Sequence, residues 1–183
     1  DRRQAAGPFR IGYIGGISPQ KGVHCLIEAV NGLPAGVELQ VYGDMNAFPD
    51  YAAGLRKLAT HSGITFQGIL SRSSLWPVLG SLDILVMPTL WYETYSLIVQ
   101  EAYAAGLPVV ASRIGVMPEV VNDGVSGLLF PPGDARALRQ ILLGLSREPA
   151  RLASLRAGLL PVTAMNDHAA TLLALYRSIA DPL

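Results

Sequence analysis

Six short apolar runs recur along the chain: Phe9–Ile14, Val37–Tyr42, Ile64–Gln67, Asp83–Met87, Val109–Ala111 and Leu128–Phe130. Most are continuous rather than strictly alternating, the pattern of strands buried on both faces of a parallel sheet. Segments of helical period separate them. Val23, Leu26, Ile27 and Val30 share one helical face; Tyr51, Leu55 and Leu58 mark a second helix. Ser71 and Ser73 are placed to cap a third, carrying Leu75, Leu79 and Leu82, with Pro77 tolerable in its first turn. A helix from about Ser96 to Ala105 stops at Gly106, and Pro118–Val121 is at most a helical turn. Asp134 then caps a helix bearing Leu138, Ile141, Leu142 and Leu145. Leu152, Leu155 and Leu159 suggest another, and Asn166 caps the last, with Ala169, Leu172, Leu173, Tyr176 and Ile179 inward. This alternation predicts an α/β chain with a Rossmann-like, doubly wound parallel sheet. In 183 residues, half of them apolar, there is material for one sizeable core. Ligands of such sheets lie beyond the carboxyl ends of the strands. The turns Gly15–Lys21, Gly43–Asn46, Gly68–Leu70, Pro88–Ser96 and Ser112–Glu119 are therefore where chemistry is expected.

Several functions are excluded early. Lys plus Arg equals Asp plus Glu at 14 each, so no basic footprint for nucleic acid exists. Cys25 is the lone cysteine; no internal disulfide can form, which suits a reducing, cytoplasmic setting. No apolar run has the length of a membrane span. Gly12, Gly15 and Gly16 do not make a dinucleotide fingerprint, and no Gly-Lys-Ser/Thr of a P-loop occurs. There is no Asp-x-Asp and no His/Cys cluster at ligand spacing, so no metal site is expected. His24, His61 and His168 are scattered and read as packing or surface residues.

Three charged residues stand out. Lys21, with Gly22, lies at a helix start, where an ammonium group and the helix dipole together suit a phosphate; a solvated surface lysine is the plainer alternative. Glu101 sits among Leu97, Ile98, Val99, Ala102 and Tyr103, a costly place for a carboxylate without a partner. Glu93 lies eight positions earlier at a strand-to-loop edge, and by itself reads equally well as an exposed loop acid. Paired carboxylates can serve acid/base chemistry, a metal, or hydroxyl groups. Without a ligand cluster, a hydroxyl-rich ligand such as a sugar or ribose fits best.

The run from Glu93 to Asp134 carries a resemblance. Its E-x7-E spacing, "EAYAAGLPVVAS" and "PEVVNDGVSGLLFPPGD" resemble the donor-binding half of the group 1 retaining glycosyltransferases, which have the two-domain GT-B fold. "YIGGISPQKG" and "LDILVMPTLWYE" extend the similarity, which spans roughly Phe9 to Leu145. The resemblance implies that residues 1–183 form the C-terminal, nucleotide-sugar-binding domain, with the N-terminal acceptor domain absent from this chain. It implies that Lys21 contacts the donor diphosphate, Glu101 the ribose and Glu93 the transferred sugar. Gly15 and Gly16 would let the donor approach the backbone, and the Ser96–Leu97 amides would hold phosphate oxygens. The Gly68-Ile69-Leu70 turn would face the base. Thr94-Tyr95-Ser96 stands where the family usually has Gly-Phe-Gly, which makes Tyr95 part of the donor loop.

The implied reaction moves a hexose from a UDP-, GDP- or ADP-linked donor to a sugar or lipid-linked acceptor. It proceeds with retention by front-face attack, without metal or other cofactor, and Glu93 and Lys21 are its catalytic residues. The isolated domain is expected to be inactive, and the last helix to pack partly across to the missing half. The intact protein is expected in the cytoplasm, peripheral to the membrane where its acceptor is lipid-linked. Gly16 departs from the family, which often has arginine there; the expectation is weaker donor binding or a cation supplied from outside the chain. Gly115-Val116-Met117-Pro118-Glu119 replaces Gly-Gly-x-Pro-Glu, a milder change. The alternative is a domain that holds nucleotide-sugar without transferring it.

Overall fold

A computed structural model describes residues 7–159, 161–163 and 165–180. Six strands form one parallel sheet: β1 (Phe9–Ile14), β2 (Val37–Tyr42), β3 (Ile64–Gly68), β4 (Ile84–Met87), β5 (Val109–Ser112) and β6 (Gly127–Phe130). Their order is β3-β2-β1-β4-β5-β6. The chain starts mid-sheet, winds out to β3, returns to β4 beside β1, and winds out to β6. The direction of winding therefore reverses between β1 and β4, and that switch point opens a crevice above the strand ends.

Alternate side chains of β4, β5 and β6 enter opposite cores. Ile84, Val86, Val110, Leu128 and Phe130 join Leu26, Val30, Leu55, Leu138 and Leu142 in one cluster. Those partners come from α1 (Val23–Asn31), α2 (Pro49–Leu58) and α6 (Ala135–Arg147). Leu85, Met87, Val109, Ala111 and Leu129 face the other way, against Leu79, Val99, Ala102 and Met117. These belong to α3 (Leu75–Ser81), α4 (Leu97–Ala104) and α5 (Met117–Val120). With both faces covered, β4, β5 and β6 are buried at every position, which explains their unbroken apolar character.

The local signals act as their chemistry requires. The Asp134 carboxylate accepts the Ala137 N–H at 2.8 Å and starts α6. The Ser71 side chain accepts the Ser74 N–H, capping a 3-10 turn (Arg72–Ser74) that leads into α3; Pro77 falls in the first turn of that helix. Two expectations at the C-terminal side are corrected. Helix α7 (Pro149–Ala157) ends before Leu159. Helix α8 (Met165–Ala180) contains Asn166 instead of being capped by it, and its apolar residues do not point inward. Ala169, Leu173, Tyr176 and Ile179 are exposed and Leu172 is only half-buried. The helices that supply both cores all precede α8, and no α8 residue belongs to either cluster. Among the described residues no helix is long and apolar enough to cross a membrane.

Candidate functional site

The site begins with the loop after β1. Tyr13 is buried, and its phenol donates to the Gly16 carbonyl at 2.7 Å, which fixes the Gly15–Gly16 turn. Burial pushes the Tyr13 pKa well up, with Tyr51 and Glu93 acting in the same direction, so the phenol stays a donor. The loop then forms a 3-10 turn, Pro19–Lys21, and ends at Gly22 with φ of 69°. A Cβ at Gly22 would lie 2.0 Å from the Pro88 carbonyl oxygen, so glycine is required for close approach to the loop between β4 and α4. The Leu90 N–H donates to the Gln20 carbonyl at 2.8 Å across the same seam. This docking sets Lys21 beside Glu93, and the Lys21 ammonium donates to Glu93 Oε1. The buried Thr89 hydroxyl lies 3.4 Å from that oxygen.

Glu93 is also held from behind. The Val116 N–H donates to the Glu93 carbonyl at 2.9 Å. Gly115, with φ of 58°, packs so close that a Cβ would lie 2.7 Å from the Glu93 nitrogen. The small-residue turn after β5 thus serves as a backing for the Glu93 loop. Glu101 lies in α4 with its side chain only 18% exposed, and the Arg72 guanidinium donates to its Oε1. That ion pair is how the fold accommodates a carboxylate within an apolar helix.

These residues line one cleft of about 430 Å³ at the switch point. Of the expected set, Gly15, Lys21, Glu93, Tyr95, Ser96, Leu97 and Glu101 line it. Gly16, Gly68 and Ile69 do not. The Gly16 carbonyl is taken by Tyr13 and the Gly68 carbonyl by the Gly43 N–H at 2.8 Å, while Ile69 points to solvent. From that third turn, Leu70 and Ser71 reach the cleft instead. Ser96 is buried with extended backbone at the start of α4, whose first amides lack intrahelical acceptors.

Sequence reasoning missed Tyr13 and Arg72. Arg72 follows directly on the turn at the carboxyl end of β3, the position rule that identified the other turns, but it was hidden inside a capping run, Ser71-Arg72-Ser73-Ser74. The charged side chains lining the cleft are Lys21 and Arg72 against Glu93 and Glu101. Among the described residues no group of three or more His, Cys, Asp or Glu is placed to hold a metal ion. His24 Nδ1 lies 2.8 Å from the Tyr51 hydroxyl, and His61 Nδ1 accepts the Gly63 N–H at 3.0 Å, so both serve local packing. A smaller cavity of about 230 Å³, at the amino ends of β1 and β2, is lined by none of the candidate residues.

A family model described as glycosyl transferases group 1 matches residues 8–148. The D-inositol 3-phosphate glycosyltransferase of Mycobacterium marinum is 36% identical over 169 residues, covering 88% of this chain and 34% of that protein. Sucrose-phosphate synthase from Thermosynechococcus elongatus superposes with a TM-score of 0.84 at 26% identity, over 96% of this chain and 46% of that one. Anabaena Alr3699/HepE, solved in complex with UDP and glucose, superposes with a TM-score of 0.81 at 25% identity, over 92% and 49%. The chain spans about a third of the length of the curated relatives it matches.

Proposed function

The chain belongs to the group 1 glycosyl transferases, with the α/β fold of GT-B enzymes, and from that premise we propose that it is the donor-binding, C-terminal domain of a retaining hexosyltransferase. The observation that carries the proposal is the convergence of Lys21, Glu93 and Glu101 with the start of α4 on one cleft at the switch point. In this reading Glu101 accepts hydrogen bonds from the ribose diol. The Leu97 end of α4 and Lys21 hold the diphosphate, by amide donors and by charge. Glu93 accepts from hydroxyls of the transferred hexose. UDP is the first nucleotide to test, because Alr3699/HepE is a neighbour crystallised with UDP and glucose.

The chemistry follows from where charge develops. The bond from the anomeric carbon to the diphosphate oxygen breaks, and negative charge grows on the leaving group. Lys21 and the α4 dipole stabilise it there. The acceptor oxygen attacks from the same face, and its proton passes to the departing phosphate oxygen, which gives retention. We favour this front-face route over a covalent intermediate on Glu93. Among the described residues the one other acid lining the cleft is Glu101, which this reading gives to the ribose, so no second acid remains beside Glu93 for a double displacement. No step in this route calls for a metal.

The acceptor, a sugar or a lipid-linked sugar, is expected to enter from a second domain, and the exposed apolar face of α8 is available to pack against that domain. Transfer of a labelled hexose by the intact protein tests the reading. The wild type should transfer, and Glu93→Ala should not. Transfer undiminished in Glu93→Ala would remove Glu93 from the reaction.

A further inference from the structure

Arg72 has no part in the reading above, yet it is one of only two cationic side chains lining the cleft among the described residues. Its root is rigid. The Ser71 hydroxyl lies 2.8 Å from that of Ser74 and 3.1 Å from that of Ser73, and the Ser74 N–H donates to it at 3.3 Å. The far end is free. The Arg72 side chain is 78% exposed, and of its five donors the guanidinium uses one, to Glu101. Only the Glu101 end of the pair is largely buried, so the guanidinium can turn away while staying solvated.

Lys21 and Arg72 enter the cleft from different strands. Lys21 comes from the loop after β1, and Arg72 from the turn after edge strand β3, reaching across to α4. Two cations and two carboxylates leave the lining formally neutral. The diphosphate of a nucleotide-sugar carries two negative charges into it, and a free nucleoside diphosphate carries more. Lys21 is a point charge and reaches one end; a planar guanidinium can take two phosphate oxygens at once.

We propose that Arg72 is the second diphosphate-binding cation of this site, which rests on the donor-site reading above. On binding, every charged group exchanges its partner. Lys21 turns from Glu93 to phosphate, and Glu93 is released to the hexose. Arg72 turns from Glu101 to phosphate, and Glu101 is released to the ribose. The same exchange makes Arg72 an internal competitor of the ribose. Ligands with ribose but no phosphate must displace it without compensation, so the cleft selects diphosphates over bare nucleosides. The role also places within the chain a cation that the sequence left to an outside source.

The test is calorimetric titration of the chain and its Arg72→Ala and Arg72→Lys variants with UDP, GDP and ADP, and with the matching nucleosides. Arg72→Ala leaves the largely buried Glu101 carboxylate without its partner, so thermal unfolding is read alongside, and Arg72→Lys keeps the charge. Arg72→Ala should weaken diphosphate binding about tenfold, leave nucleoside binding equal or tighter, and be partly rescued by Arg72→Lys. Diphosphate affinity that is unchanged or tighter in Arg72→Ala, with the wild type binding normally, overturns the role of Arg72 alone. Equal loss for nucleoside and diphosphate also overturns it. Absence of diphosphate binding by the wild type removes the donor site and this role together.

Discussion

The Lys21 ammonium donates to Glu93 Oε1, joining residues 72 positions apart. One arises from the loop after β1 and the other from the loop after β4, so the pair spans the point where the sheet reverses its winding. In the proposed reading, the group for the leaving phosphate and the group for the transferred sugar are thereby paired before either meets its ligand.

The first prediction concerns Lys21. Lys21→Ala removes a charge-assisted contact and leaves Glu93 facing the phosphates unpaired. Nucleoside diphosphate binding should weaken about tenfold or more, read by calorimetry. Unchanged affinity would take Lys21 out of the site.

Glu101 is separable from the phosphates. Glu101→Ala should weaken UDP, GDP or ADP by about tenfold while leaving inorganic diphosphate binding equal or tighter, since Arg72 is set free. Equal losses for nucleotide and inorganic diphosphate would count against a ribose role.

Gly22 tests how the loops are joined. Gly22→Ala forces a side chain into a left-handed backbone position and drives its Cβ to 2.0 Å from the Pro88 oxygen. The chain should lose about 1–3 kcal/mol in urea denaturation, and nucleotide binding should weaken with it. A loss within a few tenths of a kcal/mol would mean that the loops are not pressed together as described.

How far these features were legible differs from residue to residue. Strands β4, β5 and β6 were plain because burial on both faces leaves continuous apolar runs, and the ends of β1 and β2 fell where expected, although β2 is buried on one face only. Glu101 announced itself by the cost of its surroundings, and the glycines near Lys21 and Glu119 announced tight turns. The pairing of Lys21 with Glu93 was not readable, because it depends on two loops meeting at Gly22 and Pro88. Arg72 was missed because a run of serines reads as a helix cap. Gly68 and Ile69 shared a turn with Leu70, and only the conformation of that turn decides which of them reaches the cleft. Helix α8 was misjudged because periodicity tells which side chains share a face but not what covers it.

Tyr13 makes a prediction in pH. Its folded pKa is raised above the ordinary value of 10.0, so the folded phenol keeps its proton where the unfolded one loses it. The stability from this difference is whole below pH ~10 and falls as pH rises above it. Urea denaturation at pH 8 and pH 11 should show the wild type losing more stability over that interval than Tyr13→Phe. At pH 8 the variant should be weaker by about 1 kcal/mol, for the lost bond to the Gly16 carbonyl. Equal losses across the interval would contradict the buried, protonated phenol.

Calorimetric titration of this chain with UDP, GDP and ADP, with and without EDTA, tests the central claim most directly. The account predicts saturable, one-to-one binding of one of these nucleotides, unchanged by EDTA and abolished or strongly weakened in Lys21→Ala and Glu101→Ala. Absence of saturable binding for all three, or binding that EDTA removes, would contradict a metal-free donor site built by Lys21, Glu93 and Glu101.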